Sequence, residues 1–422
     1  MKDIFLEPYT YFTGDNSQTK KAFLAGEVRN PALSYRISKK DIQNKIEVNR
    51  KNQESLARFV PRNVREETIK EMYQILLQDQ YQKLQMIFAT SRQDDVMFDT
   101  YARHVYGELD LQICAFSLQD VYMSIYPCTQ WTKQVQRQLQ SIFDQAQDHL
   151  AAIEVDIIPF DQVKYHHHPS AEDQEYVTAY EIYEYFTWYL HSLQISSWEI
   201  RIDHSGAKKN VNASQMEKIV WIPCDEVLTI RPRTRLDMKA LAAHEIGVHV
   251  VRREHGEQQS ITLFGIGLPR YLGAEEGLAT VWAQQIHGSE AQGYINWEQY
   301  LAMAYAQGIL TGEAHDFRDT FTFFTYLFTL QQPEKSLEWI YEKSWKNTWR
   351  LFRGTTGQSI GIIFPKDKVY REGNIHIWQA IARKEIRLKD QWLYQGKIDI
   401  FNPKHYQWLL NITYTCQQNR YC

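Results

Sequence analysis

The chain has few cysteines for its 422 residues, and the five it has, Cys114, Cys128, Cys224, Cys416 and Cys422, are odd in number and scattered. No two form a Cys-x-x-Cys pair, which argues against both a thiolate zinc site and a disulfide framework. A metal in this chain therefore has to be held by histidine and carboxylate. Long apolar runs are also lacking. The stretch over residues 321–330 (FTFFTYLFTL) is interrupted by threonines and is far short of the roughly 20 apolar residues of a membrane span. It predicts a buried helix and no membrane partner. No strong positive charge is present either: the net charge of −4 provides no field for nucleic acid. The first residues, MKDIFLEPYTYFTG, lack the apolar stretch and cleavage site of a signal peptide, so a cytoplasmic location is expected.

Helical periodicity dominates what is there. Apolar residues recur at three- and four-residue spacing over 64–88 and again over 132–149, predicting amphipathic helices. Pro169 and its polar neighbours interrupt the pattern, giving a boundary near residue 170 and a new helix over 171–193. The adjacent His166, His167 and His168 read as a surface loop rather than a metal site, because sequence neighbours point in different directions. Residues 197–202 and 218–222, then 226–230, predict short strands ended by Pro223 and Pro232. A small sheet followed by a histidine-bearing helix is the order of zinc peptidases, in which an edge strand commonly holds extended substrate.

That helix contains the stretch AAHEIGVHVVRREHG, with Asp237 as its expected N-cap and Gly256 as its expected stop. His244 and His249 are five residues apart. On a regular helix their side chains diverge by roughly 140° and cannot converge on one ion. A π-bulge, which accommodates one extra residue, returns His249 to the face of His244, and Gly247 makes the widening easier. The third ligand is expected downstream, in GAEEGLATVWAQQ, where Glu276 is the choice and Glu275 is an acceptor for a ligand histidine's free N–H. Gly277, costly inside a helix, signals a close approach to the backbone. Two imidazoles and one carboxylate leave tetrahedral Zn2+ with an open position, as in catalytic sites, and Glu245 is placed to act as general base.

HEIGVHVVRREHG followed by GIGLPRYLGAEEGLA resembles the microtubule-associated tyrosine carboxypeptidase family and its bacterial relatives, which carry a Gln-Glu-Gly-Leu-Ala motif. Here Glu275 stands in place of the glutamine, and Val248 where many members have threonine. The resemblance continues into RLFRGTTGQSIGIIFPKDKVYREG, and more loosely into YARHVYG at residues 101–107. It implies an α+β, predominantly helical fold: a zincin-like, gluzincin-type catalytic domain over 171–422, with a small sheet and a two-helix metal site, after a mostly helical region over 1–170. It implies a zinc metallocarboxypeptidase acting on a peptide or protein C-terminus, with tyrosine or glutamate removed; tubulin, the vertebrate members' substrate, is not carried over. An exopeptidase also needs a cation for the terminal carboxylate and a donor for the oxyanion. Arg353, Lys366 and Tyr370, with Arg350 behind them, are the candidates. Arg231, Arg233 and Arg235 could attract an acidic tail or form a solvated turn. The competing readings are an aminopeptidase or endopeptidase on the same metal core, and a regulatory protein that keeps the metal without turnover; the intact Glu245 speaks against the last.

Overall fold

The computed structural model describes residues 6–125, 133–158, 170–288 and 296–418, so His166, His167 and His168 lie outside the described residues. The described residues are predominantly helical, with one three-stranded sheet among them. Six helices come first: α1 (Ser17–Leu24), α2 (Lys39–Arg58), α3 (Val64–Arg92), α4 (Asp95–Tyr106), α5 (Leu111–Ile125) and α6 (Lys133–Leu150). Next come α7 (Ala179–Ser192), the strands β1 (Glu199–Asp203), β2 (Asn212–Ser214) and β3 (Ile219–Pro223), and then α8 (Asp225–Ile230). The histidine motif spans α9 (Arg235–His244), a π-helical segment (Glu245–Val250) and α10 (Val251–Gln258). There follow α11 (Leu263–Ile266), α12 (Tyr271–His287), α13 (Trp297–Ala306), α14 (Phe317–Gln331), α15 (Leu337–Phe352), α16 (Lys368–Ala382) and α17 (Pro403–Gln418). None of the described helices is long and apolar enough to cross a membrane.

The helices predicted over 64–88 and 132–149 appear as α3 and α6, and the apolar run at 321–330 lies within the largely buried α14. Asn63 caps α3 by accepting from the Glu66 N–H, and Asp316 caps α14 in a reciprocal box with Asp319. The main apolar core takes side chains from both sides of residue 170, from Phe23 and Met72 to Leu301, Trp378 and Ile412. A second cluster sits between the sheet and the histidine helix, where Val220 and Ile222 of β3 meet Phe186 of α7 and Ile246 and Val250 of the π segment. Burial on this scale supplies most of the driving force that holds the site-bearing elements together.

Strand order is β1-β3-β2, with β1 parallel and β2 antiparallel to the central β3. Residues 197–202 and 218–222 thus supply β1 and β3, whereas β2 was not anticipated: three residues, Asn-Ala-Ser, offer no periodicity. Four expectations are corrected. Residues 226–230 are helical, because Pro223 ends β3 and Asp225 and Glu226 then occupy the first turn of α8, where acidic groups meet the positive helix end. The helix expected over 171–193 begins only at Ala179; before it, Asp173 accepts from Ser170 N–H and Lys239, and Val177 N–H and Arg235 N–H pair with the carbonyls of Arg233 and Glu175. Asp237 is not the N-cap of α9. Thr234 is, and Asp237 completes the box by accepting from Thr234 N–H at 2.8 Å. Gly256 lies inside α10 instead of ending it, because a Cβ there would stand 2.3 Å from the Phe264 carbonyl oxygen.

Candidate metal centre and its cation cluster

The extra residue between the histidines is taken up by the π-helical turn Glu245–Val250. Its effect is to bring the His244 and His249 rings together, edge to face, with centroids 5.0 Å apart. Gly247 lies within this turn, where a Cβ would come within 3.1 Å of the Tyr189 hydroxyl of α7. The absent side chain lets α7 close over the widened turn.

Glu276 arrives from α12. Helices α12 and α16 cross at glycines: a Cβ on Gly277 would lie 2.2 Å from the Gly373 carbonyl oxygen, and one on Gly373 would lie 2.0 Å from that of Gly273. The close approach signalled by Gly277 is thus helix against helix. It sets the depth of Glu276, whose Oε2 stands 3.9 Å from His244 Nε2 and 3.7 Å from His249 Nε2. The candidate ligand atoms of these three residues all lie within 4.8 Å of one another. Those separations are too long for hydrogen bonds. They are close to the roughly 3.4 Å between atoms held tetrahedrally at about 2.1 Å from a single zinc ion. The Glu276 carboxylate accepts no hydrogen bond from another described residue.

The far side of the His249 ring is anchored, as a metal-binding imidazole requires. His249 Nδ1 donates to Glu275 Oε1 at 2.9 Å, and the Ala279 backbone beside the His244 ring favours its charged form. The Nε2 atom of each ring faces Glu276. Glu275 is itself held by Lys397 Nζ at 2.5 Å and, more loosely, by Arg252 NH1 at 3.5 Å. Arg252 also donates to the carbonyls of Gly396 and Ile398, fixing the loop that carries Lys397.

Electrostatics follow from this packing. Burial would raise the Glu275 carboxyl, but Lys397 and the His249 contact hold it at about 2. Burial and the neighbouring His249 pull His244 down to about 3, so its ring is neutral. For His249 burial opposes charging, but the Glu276 and Glu275 carboxylates hold it up to about 9. The two glutamates thus favour positive charge at His249. Burial pushes Glu245 up to about 7, and one of its oxygens accepts from the Ala213 N–H of the edge strand β2 at 2.9 Å.

The segment before α16 brings three of the candidate cations together around buried Asp367. Arg350 Nε donates to Asp367 Oδ2, and Arg353 NH2 lies 3.7 Å from Oδ1. Lys366 differs. It is only 9% exposed, yet among the described residues it has no carboxylate within ion-pair distance, and its charge acts on Glu276. Tyr370 is half-buried in the first turn of α16. Of the arginines before α9, Arg235 is engaged by Glu175 at 3.4 Å and Glu181 at 3.8 Å, while Arg231 is exposed at the end of α8.

Sequence reasoning did not single out Arg252, Lys397, Asp367, Ala213 or Tyr9, whose ring lies beneath Lys366. Arg252 follows His249 by one helical turn, and Asp367 lies inside the Lys-Asp-x-Val-Tyr stretch, so both had a local signal. Lys397, Ala213 and Tyr9 are distant in sequence and had none. A family model described as microtubule-associated tyrosine carboxypeptidase matches residues 133–415. No curated protein matches the chain.

Proposed function

The chain belongs to the microtubule-associated tyrosine carboxypeptidase family, and we propose that it is a zinc-dependent metallocarboxypeptidase removing a C-terminal tyrosine or glutamate from a peptide or protein. The observation that carries this reading is the convergence of His244, His249 and Glu276, with Glu245 beside them and the Lys366 ammonium near enough for its charge to act on Glu276. Two histidines on one helix and a glutamate on a second make the zincin-like, gluzincin-type arrangement. His244, His249 and Glu276 would hold the ion, with Glu275 orienting His249. Zinc in such a site supplies Lewis acidity and lowers the pKa of water to about 7.

Glu245 then has a defined task. Ala213 N–H occupies one carboxylate oxygen, which fixes the plane of the group and leaves the other oxygen to take a proton from the attacking water. The water oxygen bonds to the scissile carbonyl carbon, the carbon–nitrogen bond breaks, and Glu245 returns the proton to the leaving amine. A pKa raised by burial towards neutrality suits a group that must accept a proton and then release it.

Exopeptidase action requires a grip on the terminal carboxylate. Arg350 and Arg353 are already turned to Asp367, so Lys366 is the cation left for the substrate, with its counter-ion supplied by binding. The test is a panel of matched peptides with free and amidated C-termini, incubated with zinc-loaded protein. Release of the last residue from the free acids alone is expected. Equal cleavage of the amides rejects carboxylate recognition, and internal or N-terminal cuts identify an endopeptidase or aminopeptidase.

A further inference from the structure

Tyr9 lies far outside residues 133–415, the portion matched by the family model, yet its ring reaches the Lys366 and Arg353 side chains. It sits on a short 3-10 turn, Pro8–Thr10, that follows Glu7 and is anchored on its C-terminal side by Phe12. Phe12 is buried against Phe98 and Phe364, so the turn is tied to the wall from which the Lys366 segment departs. The Lys366 ammonium stands 4.7 Å from the Tyr9 ring centroid and the Arg353 guanidinium 5.4 Å from it. Burial raises the Tyr9 phenol; Glu7, Glu276 and Asp367 add to that rise and Arg353 opposes it. The ring is nonetheless 38% exposed, so it forms a wall open to solvent rather than part of the core.

Arg353 has Phe364 on its other side, at 5.1 Å, and Asp367 beside it. Lys366 has neither. Lysine is a flexible point charge on a four-carbon stem, and an ammonium with no counter-ion holds one direction only if something else fixes it. An aromatic face attracts a cation and is rigid, so it supplies that direction without neutralising the charge the substrate needs. A carboxylate partner in the same place would hold Lys366 just as firmly but would compete with the substrate. We propose that Tyr9 is a positioning residue for recognition of the substrate's terminal carboxylate: its ring face holds Lys366 pointed at the place where that carboxylate binds. The N-terminal segment thereby completes the substrate site from outside the family region. This rests on the carboxypeptidase reading.

Binding, not turnover, separates the two. The zinc-loaded Glu245→Gln protein is titrated into a fluorescein-labelled acidic hexapeptide ending in tyrosine, with either a free or an amidated C-terminus, and anisotropy is followed. The parent should favour the free acid by about tenfold or more, in line with a charge-assisted contact. Tyr9→Phe, which keeps the ring, should retain that ratio, and Tyr9→Leu should reduce it several-fold. Adding Tyr9→Leu to Lys366→Met should change nothing further, because the effect runs through the lysine; that comparison also controls for any loss of fold. An unchanged ratio in Tyr9→Leu, or full additivity with Lys366→Met, overturns the inference and leaves the carboxypeptidase reading standing. Equal binding of both peptides by the parent overturns both.

Discussion

His249 and Glu275 are joined by a hydrogen bond of 2.9 Å between Nδ1 and Oε1, and the carboxylate that accepts it is held from the other side by Lys397. The pair and its lysine are almost wholly buried. Removing one member of such a set leaves an uncompensated charge, at a cost of about 3–5 kcal/mol. Glu275→Gln should therefore destabilise the protein by that order even though glutamine is the residue of the family motif, because Lys397 and Arg252 are then left facing a neutral amide. It should also weaken zinc binding roughly 10- to 100-fold by loosening His249. Lys397→Met should be similarly destabilising alone, whereas Glu275→Gln with Lys397→Met should recover most of the loss. Urea denaturation of the four proteins gives the coupling directly, and additive losses would show that the two side chains are not energetically linked.

Glu245 and His244 are neighbours in sequence with separable roles. Glu245→Gln should leave zinc stoichiometry unchanged and lower kcat at least about 10²- to 10⁴-fold, since a proton acceptor is lost while all three metal-facing groups stay. His244→Ala should lower bound zinc and activity together. Metal analysis after dialysis, paired with peptide hydrolysis, checks both. Persisting hydrolysis in Glu245→Gln means a different base, and full zinc occupancy in His244→Ala removes that residue from the metal set.

Much of this centre was legible because its features are local. The five-residue spacing of the histidines demanded a widened turn, and the π segment at Glu245–Val250 is that turn. Glu275 and Glu276 could have been read as acidic groups suited to the positive end of a helix, and Gly277, costly inside one, pointed past that reading. The sheet was only partly readable: β1 and β3 alternate or run apolar, but β2 is recognised only by its pairing with β3. Residues 226–230 misled because β-branched and apolar types satisfy either state, and the acidic first turn decided for helix. Lys397 and Tyr9 had no sequence signal at all. Their roles exist only through tertiary contacts more than a hundred residues long, to Glu275 and Lys366.

The two glycines singled out in the sequence should respond very differently to alanine. At Gly247 the nearest atom to a new Cβ is the Tyr189 hydroxyl, at 3.1 Å, the far end of a side chain able to give way. Gly247→Ala should cost no more than about 1 kcal/mol, with zinc retained. At Gly277 the new Cβ would meet main chain at 2.2 Å, and α12 must move away from α16, taking Glu276 with it. A loss of about 3 kcal/mol or more is expected, together with a fall in zinc content. Chemical denaturation with metal analysis distinguishes the two; equal and small effects would mean that the helix crossing is softer than its geometry indicates.

His405 provides a pH signature far from the metal. Its ring is buried, stacks on Trp408 at 5.3 Å, and accepts from the Asp399 N–H through Nδ1 at 3.1 Å. Burial pulls its pKa down to about 4, against about 6.5 in an unfolded chain. Between those values the unfolded chain takes up a proton that the folded one refuses, so this contribution to stability is complete above pH 6.5 and is lost as pH falls towards 4. The full window corresponds to about 3 kcal/mol. His405→Asn keeps an acceptor for Asp399 N–H but cannot titrate, so the variant should be less stable than the parent at pH 7 and lose that disadvantage progressively down to pH 4.5. Urea midpoints measured in chelator, which removes the pH dependence of metal binding, give the comparison. A stability gap that stays constant across the range would show that His405 is protonated in the folded protein as readily as in the unfolded chain.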